Sequence, residues 1–405
     1  MRKKRLSIAA AAALLLGLTA CGDNGGSSDE IAIGAVHPLS GPLAGVGGMM
    51  NDGAELAVDD INAAGGIKSI HGAKLTLMDG DSEGSAAVGQ TEARRLVSDG
   101  AVALIGTYQS DVTENVAAMA ERSDVPLVID VAIDDKILSH GYKYVFRIQP
   151  NASTMGASGA EVLSQIGKAT GQDVTKVSYM HIEGAFGEST YQAFRKEAEK
   201  QGIQVVRNVS YPATNFSDAT TAVTQALSGD PDVLVVSGYY PDNLLIAEAV
   251  KAINPNIKAV FGIASGAYDD TSFPSDGGAA ANGVLSANYH YSATSKRAQD
   301  IRKRFQEKYG RPMETAAMLS YQAVEVIAAG LEKSGSNDPV ALQNAIANIR
   351  IDDTLLEFKG PIEFDDKGEN KNATVIVTQV QKGRIEQVFP EEFATSDLIF
   401  PARDH

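Results

Sequence analysis

The sequence predicts an α/β protein built of two doubly wound lobes. Three observations carry that reading. Apolar runs of strand length alternate with amphipathic runs of helix length from residue 31 onward, the pattern of parallel sheets with helices on both faces. The alternation restarts after about residue 150, implying a second unit of the same kind. The chain of 405 residues is also long enough for two separate cores.

Taken in order, residues 31–36 form a short apolar strand. Residues 48–64 read as a helix, with Ala54, Ala57, Val58 and Ile61 on one face and Glu55, Asp59 and Asp60 on the other. Gly65 and Gly66 stop it. Strands at 74–78 and 102–105 alternate with helices at 85–98 and 110–122, and strands follow at 126–130 and 144–148. The second run has helices at 154–170, 188–201, 218–227 and 243–252, with strands at 176–182, 204–209, 233–237 and 259–263. Three helices then follow, at 295–309, 314–333 and 339–348. Short antiparallel strands at 362–364, 373–381 and 385–389 turn at Asp366-Lys367-Gly368 and Lys382-Gly383.

The N-terminus reads as an export signal. Arg2, Lys3, Lys4 and Arg5 precede an apolar stretch from Leu6 to Leu18, too short to span a bilayer. The stretch ends in Leu18-Thr19-Ala20-Cys21, which resembles a bacterial lipobox. That resemblance implies cleavage after residue 20 and lipidation of Cys21, the alternative being a free thiol at a cleaved end. Two acyl chains suffice for stable membrane attachment. Residues 21–30, rich in Gly and Ser, form a tether.

Composition narrows the function classes. Cys21 is the one cysteine, which excludes an intrachain disulfide, a catalytic thiol elsewhere and a cysteine zinc site. Removing residues 1–20 takes away four basic residues and moves the net charge from −16 to about −20, which argues against nucleic acid. After the signal no apolar run approaches spanning length.

A family resemblance rests on ordered motifs. Ile33-Gly34 and Pro38-Leu39-Ser40-Gly41-Pro42 are followed by Gly53-Ala54-Glu55-Leu56-Ala57-Val58 and Ile61-Asn62-Ala63-Ala64-Gly65-Gly66-Ile67. Then come Ile105-Gly106 with Ser110, Tyr144-Val145-Phe146-Arg147, Phe186-Gly187-Glu188 and Ser237-Gly238-Tyr239. In this order the chain is similar to the type I periplasmic binding proteins of the leucine/isoleucine/valine-binding branch. The resemblance implies two Rossmann-like lobes joined by a three-segment hinge, with ligand in the cleft between them. Lobe I would comprise 31–149 plus 290–355 and lobe II 150–289 plus 356–395, with crossovers near 149–151, 288–290 and 354–359. It further implies a monomer that binds a small carboxylate or amide, an amino acid or related organic acid, without chemistry or cofactor. The protein would hand its ligand to an ABC permease and ATPase from outside the cytoplasm, anchored through Cys21.

The same resemblance points to site residues. Ligands of open α/β sheets bind at the carboxyl ends of strands, where Ser110 opens a helix after Gln109. The family's serine here holds a ligand carboxylate, and a helix N-terminus favours an anion; a plain N-cap role remains the alternative. Val131 and Ile133 match a carbonyl and a threonine that contact ligand in the amino-acid binders, but Ile133 has no hydroxyl. Asp130, Asp134 and Asp135 are polar candidates nearby, or solvated loop carboxylates. Phe186, in a glycine-flanked loop, and Tyr239 match aromatics that cover the ligand; core packing and a surface position are their alternatives. Ala264 stands where the α-amino-acid binders carry a glutamate for the ammonium, and Val46 where many relatives have an aromatic wall. An α-amino acid would then need a substitute acid, Asp130 and Asp242 being nearest by sequence.

Other classes find little support. There is no Gly-x-Ser-x-Gly elbow, Walker loop or His-Glu-x-x-His, and the six histidines are scattered. Gly45-Val46-Gly47-Gly48 lacks the third glycine of a dinucleotide fingerprint, Met50 standing there. A receptor module of the same fold, signalling to a membrane partner, is the reading that sequence leaves beside transport.

Overall fold

The computed structural model describes residues 30–402. The signal at 1–20, Cys21 and nearly all of the tether lie outside the described residues. The first sheet is built from β1 (Glu30–His37), β2 (Lys74–Asp81), β3 (Ala103–Gly106), β4 (Leu127–Ile129) and β5 (Val145–Arg147). Between them run α1 (Ala44–Ala63), α2 (Ala86–Ser98), α3 (Ser110–Arg122) and the short α4 (Lys136–Ser139). Its order is β2-β1-β3-β4-β5, all parallel.

The second sheet repeats the plan. α5 (Ala152–Thr170) leads into β6 (Lys176–Ile182), α6 (Ala185–Lys200), β7 (Gln204–Tyr211), α7 (Thr220–Leu227), β8 (Val233–Ser237), α8 (Tyr240–Ile253) and β9 (Ala259–Ile263). The one-turn α9 (Phe273–Asp276) and β10 (Leu285–Asn288) complete the parallel part, ordered β7-β6-β8-β9-β10. β11 (Ile376–Gln381) and β12 (Arg384–Phe389) extend its edge antiparallel. In both sheets the order reverses beside the first strand, creating a crevice at the carboxyl ends.

Helices α10 (Lys296–Tyr309), α11 (Thr315–Ser334) and α12 (Pro339–Ala347) return to the first sheet. α11 packs on α1 and on β3 and β4. The contact with α1 is close because Gly53 has no side chain: a Cβ there would lie 2.2 Å from the Ala317 carbonyl oxygen. The inner strands are buried along most of their length while the edge strands β2, β7 and β12 are partly exposed, so apolar burial rather than strand propensity holds the sheets.

Three sequence expectations change. β10 went unseen, because Leu-Ser-Ala-Asn has weak strand character although all four residues are buried. α6 starts at Ala185 with Gly184 as N-cap at φ 114°, so Phe186 sits in a helical first turn and not in a loop. Residues 362–364 make isolated bridges only, Ile362 to Ile351 and Phe364 to Asn370. Near the expected crossovers, Leu356 bridges Tyr291, and further on Glu369 bridges Arg147 at the edge of β5 while the Asn370 N–H donates to the Arg147 carbonyl.

Candidate functional site

The crevices of the two sheets face each other. From the first sheet come Tyr108 and Ser110 after β3, and Val131, Ala132 and Ile133 after β4. From the second come Phe186 after β6, Gly238 and Tyr239 after β8, and Ala264, Ser265 and Gly266 after β9, with Tyr289 beyond β10. Together they line a narrow, partly open cleft. Larger hollows of about 1000 Å³ behind the second sheet and about 1040 Å³ behind the passages lie away from the strands' carboxyl ends.

Local structure sets each wall. Tyr239 stacks on Phe186 at a centroid distance of 5.5 Å and meets Tyr108 of the opposite sheet at 5.4 Å. Phe186 reaches this position because Gly187 lets the first turn of α6 close on the end of β6; a Cβ on Gly187 would lie 1.9 Å from the Ile182 carbonyl oxygen. The 131–134 loop is pinned from behind. Fully buried Arg147 donates to the carbonyls of Ile133 and Asp134, and Gln149 donates to that of Ala132 at 2.8 Å. The Arg147 side chain is balanced by Glu369, 3.6 Å away.

Helices α3, α6 and α8 all point their N-termini toward this cleft. Two are already occupied by protein carboxylates. Asp111 accepts from the Ala185 N–H at 3.4 Å, and Asp242 accepts from the Tyr239 N–H at 3.1 Å. The start of α3 has no side-chain cap, and the Ser110 hydroxyl there accepts from the Asp134 N–H at 3.3 Å. An anionic group in the cleft therefore meets a helix N-terminus at Ser110.

Of the residues singled out from sequence, Ser110, Val131, Ile133, Phe186, Tyr239 and Ala264 line the cleft. Ala264 adopts a left-handed backbone, φ 50°, as its N–H turns to the Ala287 carbonyl. Gln109 and Asp130 do not line it. The Gln109 amide reaches back to the Gly84 carbonyl at 3.4 Å. Asp130 is fully buried beneath the loop, where His37 Nε2 lies 2.9 Å and the Ser320 hydroxyl 2.7 Å from its Oδ2. Its neighbours Val131 and Ile133 point the other way, so the loop's alternation turns Asp130 toward α11.

Asp134 is buried with its carbonyl on Arg147, and Asp135 accepts from the Ser153 N–H and hydroxyl. Asp242 is held by the Tyr211 hydroxyl at 2.6 Å as well as by Tyr239, and burial raises its carboxyl to about 6. Neither proposed substitute acid, Asp130 or Asp242, reaches the cleft.

A second, partly open hollow adjoins the first and shares Tyr108, Ser265, Gly266 and Tyr289 with it. Val46, Met49, Asp269, Asp270, Asn288, Glu314, Thr315 and Ala316 form its remaining walls. Sequence reasoning missed its acids, since Glu314 is far along the chain from Asp269 and Asp270. Tyr108 and Tyr289 were also missed, although Tyr108 precedes Ser110 in the same loop. Among the described residues no group of three His, Cys, Asp or Glu side chains is placed to hold a metal ion.

Two facing α/β units with a cleft between their switch points are the arrangement of bilobed solute-binding proteins. The chain belongs to the periplasmic binding protein family, whose sequence profile matches residues 30–384. It is 28% identical to Leu/Ile/Val-binding protein homolog 8 of Brucella suis, over 99% of this chain and all of that protein. Its fold is shared with a leucine binding protein from Thermotoga maritima, with a TM-score of 0.76 and 22% identity over 88% of this chain and 97% of the other. It is shared equally with a solute binding protein from R. palustris solved with benzoate, with a TM-score of 0.76 and 20% identity over 88% and 95%. Membership places the protein outside the cytoplasm, and among the described residues no helix is long and apolar enough to cross a membrane.

Proposed function

We propose that this protein is the solute-binding lipoprotein of an ABC importer of the branched-chain-amino-acid type, capturing a small carboxylate or amide between its lobes. The observation that carries the reading is the cleft itself. Six residues from both sheets that the family pattern singles out, Ser110, Val131, Ile133, Phe186, Tyr239 and Ala264, converge on one cavity. The uncapped start of α3 takes the carboxylate or amide oxygen, and the aromatic stack covers an apolar body. Ligand favours the closed form because only there do both walls touch it.

No step in this mechanism makes or breaks a covalent bond. Lobe I is formed by the first sheet with α10–α12 and lobe II by the second, and the three passages between them act as the hinge. The mature chain works as a monomer, held at the membrane by lipid on Cys21 and docking on a permease that an ATPase drives. The names of the relatives frame the ligand search: Leu/Ile/Val-binding homologues and a protein crystallised with benzoate.

Calorimetric titration with leucine, isoleucine, valine, benzoate and p-hydroxybenzoate tests the reading. Micromolar or tighter binding of one of them, weakened by Phe186→Ala and by Ser110→Ala, is the expected result. The reading fails if none binds and protein purified from its own host carries no small molecule by mass spectrometry.

A further inference from the structure

Tyr239 owes its place in the cleft wall to the first turn of its own helix. It is the N-cap of α8, and its N–H points at the Asp242 carboxylate, 3.1 Å from each oxygen. Among the described residues this N–H has no other acceptor. The anchor is built in from behind. Tyr211, at the end of β7, is buried and stacks on Phe216 with 4.6 Å between centroids. Its hydroxyl donates to Asp242 Oδ2 at 2.6 Å and also lies 3.0 Å from the Ser237 carbonyl oxygen. These groups can meet because residue 238 is a glycine: a Cβ there would lie 2.1 Å from both the Tyr211 hydroxyl and Asp242 Oδ2. Gly238 itself lines the cleft.

The arrangement has room for a proton. A tyrosine hydroxyl carries a single hydrogen, yet Tyr211 has two acceptors in reach. With Asp242 ionised, that hydrogen goes to the carboxylate, whose charge also holds the Tyr239 N–H. With Asp242 protonated, the carboxyl donates to the Tyr211 oxygen and Tyr211 turns to the Ser237 carbonyl. Every donor keeps a partner in both states, but the Tyr239 N–H then faces a neutral oxygen. A hydrogen bond to an ionised acceptor is roughly twice as strong as a neutral one. Burial raises the Asp242 carboxyl to about 6, against the lowering effect of its bonds from Tyr211 and Tyr239. The titratable side chains facing it are tyrosines: Tyr211 from β7, Tyr239 beside it, Tyr268 from the loop after β9 and Tyr108 from the first sheet. Asp111, on α3 across the cleft, is the other carboxylate that faces Tyr239.

We propose that Asp242 is a positioning residue for ligand capture: ionised, it fixes Tyr239 in the cleft wall, and protonated in exchange with Tyr211 it lets that wall loosen, so ligand is held less tightly in acid. The inference rests on the cleft reading above and goes beyond it, since Asp242 acts from behind the wall and does not line the cleft. The same turn of α8 steadies the neighbouring part of the wall, for Asn243 accepts from the Ser265 hydroxyl at 2.7 Å. Loosening at Asp242 therefore acts on Tyr239 and through it on the stack with Phe186.

The Tyr239 amide reports on the anchor without any ligand. Its hydrogen exchange, corrected for the intrinsic pH dependence, is compared at about pH 5 and about pH 7.5, either side of the Asp242 midpoint. Protection should fall roughly fivefold in acid, the difference between an ionised and a neutral acceptor. Asp242→Asn, which keeps an acceptor oxygen, should show the low protection at both values. Tyr211→Phe removes a donor that favours the carboxylate, so the midpoint should move to higher pH, which a merely structural tyrosine would not cause. The wild-type profile decides the anchor even if a variant does not fold. Calorimetric Kd values for leucine or benzoate, whichever binds, should rise in acid by a similar factor more in the wild type than in Asp242→Asn. That comparison removes the contribution of Asp269 and Glu314, which burial also brings toward neutral pH. Exchange that ignores pH, or follows it equally in Asp242→Asn, overturns the inference and leaves the cleft reading standing. A pH-dependent anchor with the same Kd profile in both proteins overturns the role in capture. Failure of leucine, benzoate and the other ligands named above to bind at either pH overturns the cleft reading, and the role of Asp242 in capture with it.

Discussion

The contact between Tyr108 and Tyr239 crosses the cleft, whereas that between Tyr239 and Phe186 lies within the second lobe. The two rings of the crossing pair sit 5.4 Å apart at 40°. Aromatic pairs in such geometry contribute about 0.5–1.5 kcal/mol beyond their buried area. If the lobes part in the free protein, this energy is gained only on closure and adds to ligand affinity. Tyr108→Ala and Tyr239→Ala should therefore be coupled in a double-mutant cycle on binding. The coupling should be about 0.5–1.5 kcal/mol, a factor of roughly 2 to 12 in Kd. The Phe186 and Tyr239 pair should instead couple in stability, because it persists in both states. Calorimetric Kd values for the wild type, the two single variants and the double variant measure the cycle, with chemical denaturation as the parallel readout. Zero coupling in binding, or an equal coupling in the unfolding of ligand-free protein, would refute the closure argument.

Three further outcomes are expected. Cys21→Ser should release the protein from the membrane fraction or block its processing; normal processing and retention would end the lipoprotein reading. Small-angle scattering should show a smaller radius of gyration at saturating ligand, and an unchanged radius would argue for rigid lobes. His290 concerns pH. Burial lowers its folded value to about 4 from 6.5, so it stays neutral in the folded state, with Nδ1 3.0 Å from the Tyr291 carbonyl oxygen. Its contribution is present above pH 6.5 and lost as pH falls toward 4, amounting to about 3 kcal/mol at most. His290→Asn should flatten the fall in melting temperature between those values, and an unchanged slope would place the acid sensitivity elsewhere.

Much of the site was legible because it depends on local order in the chain. Ser110 and Tyr239 each follow a buried apolar strand and open a helix, a pattern that sequence periodicity records. Phe186 was found by motif, yet its helical setting was hidden because the N-cap is Gly184, two residues before it. Asp130 was misjudged for a reason of alternation: sequence shows a loop carboxylate, but only the fold shows that its side chain turns under the loop to His37 and Ser320.

By itself the sequence determined the two α/β halves, the parallel sheets and the family, since these follow from strand and helix periods and from motifs in fixed order. Tertiary structure alone decided which side chains share a cavity. Asp269 and Asp270 end one lobe's loop and Glu314 begins a helix of the other, and nothing local in the chain links them. Their convergence follows from two sheets facing each other with α11 folded back onto the first, a long-range arrangement that burial stabilises and no period encodes.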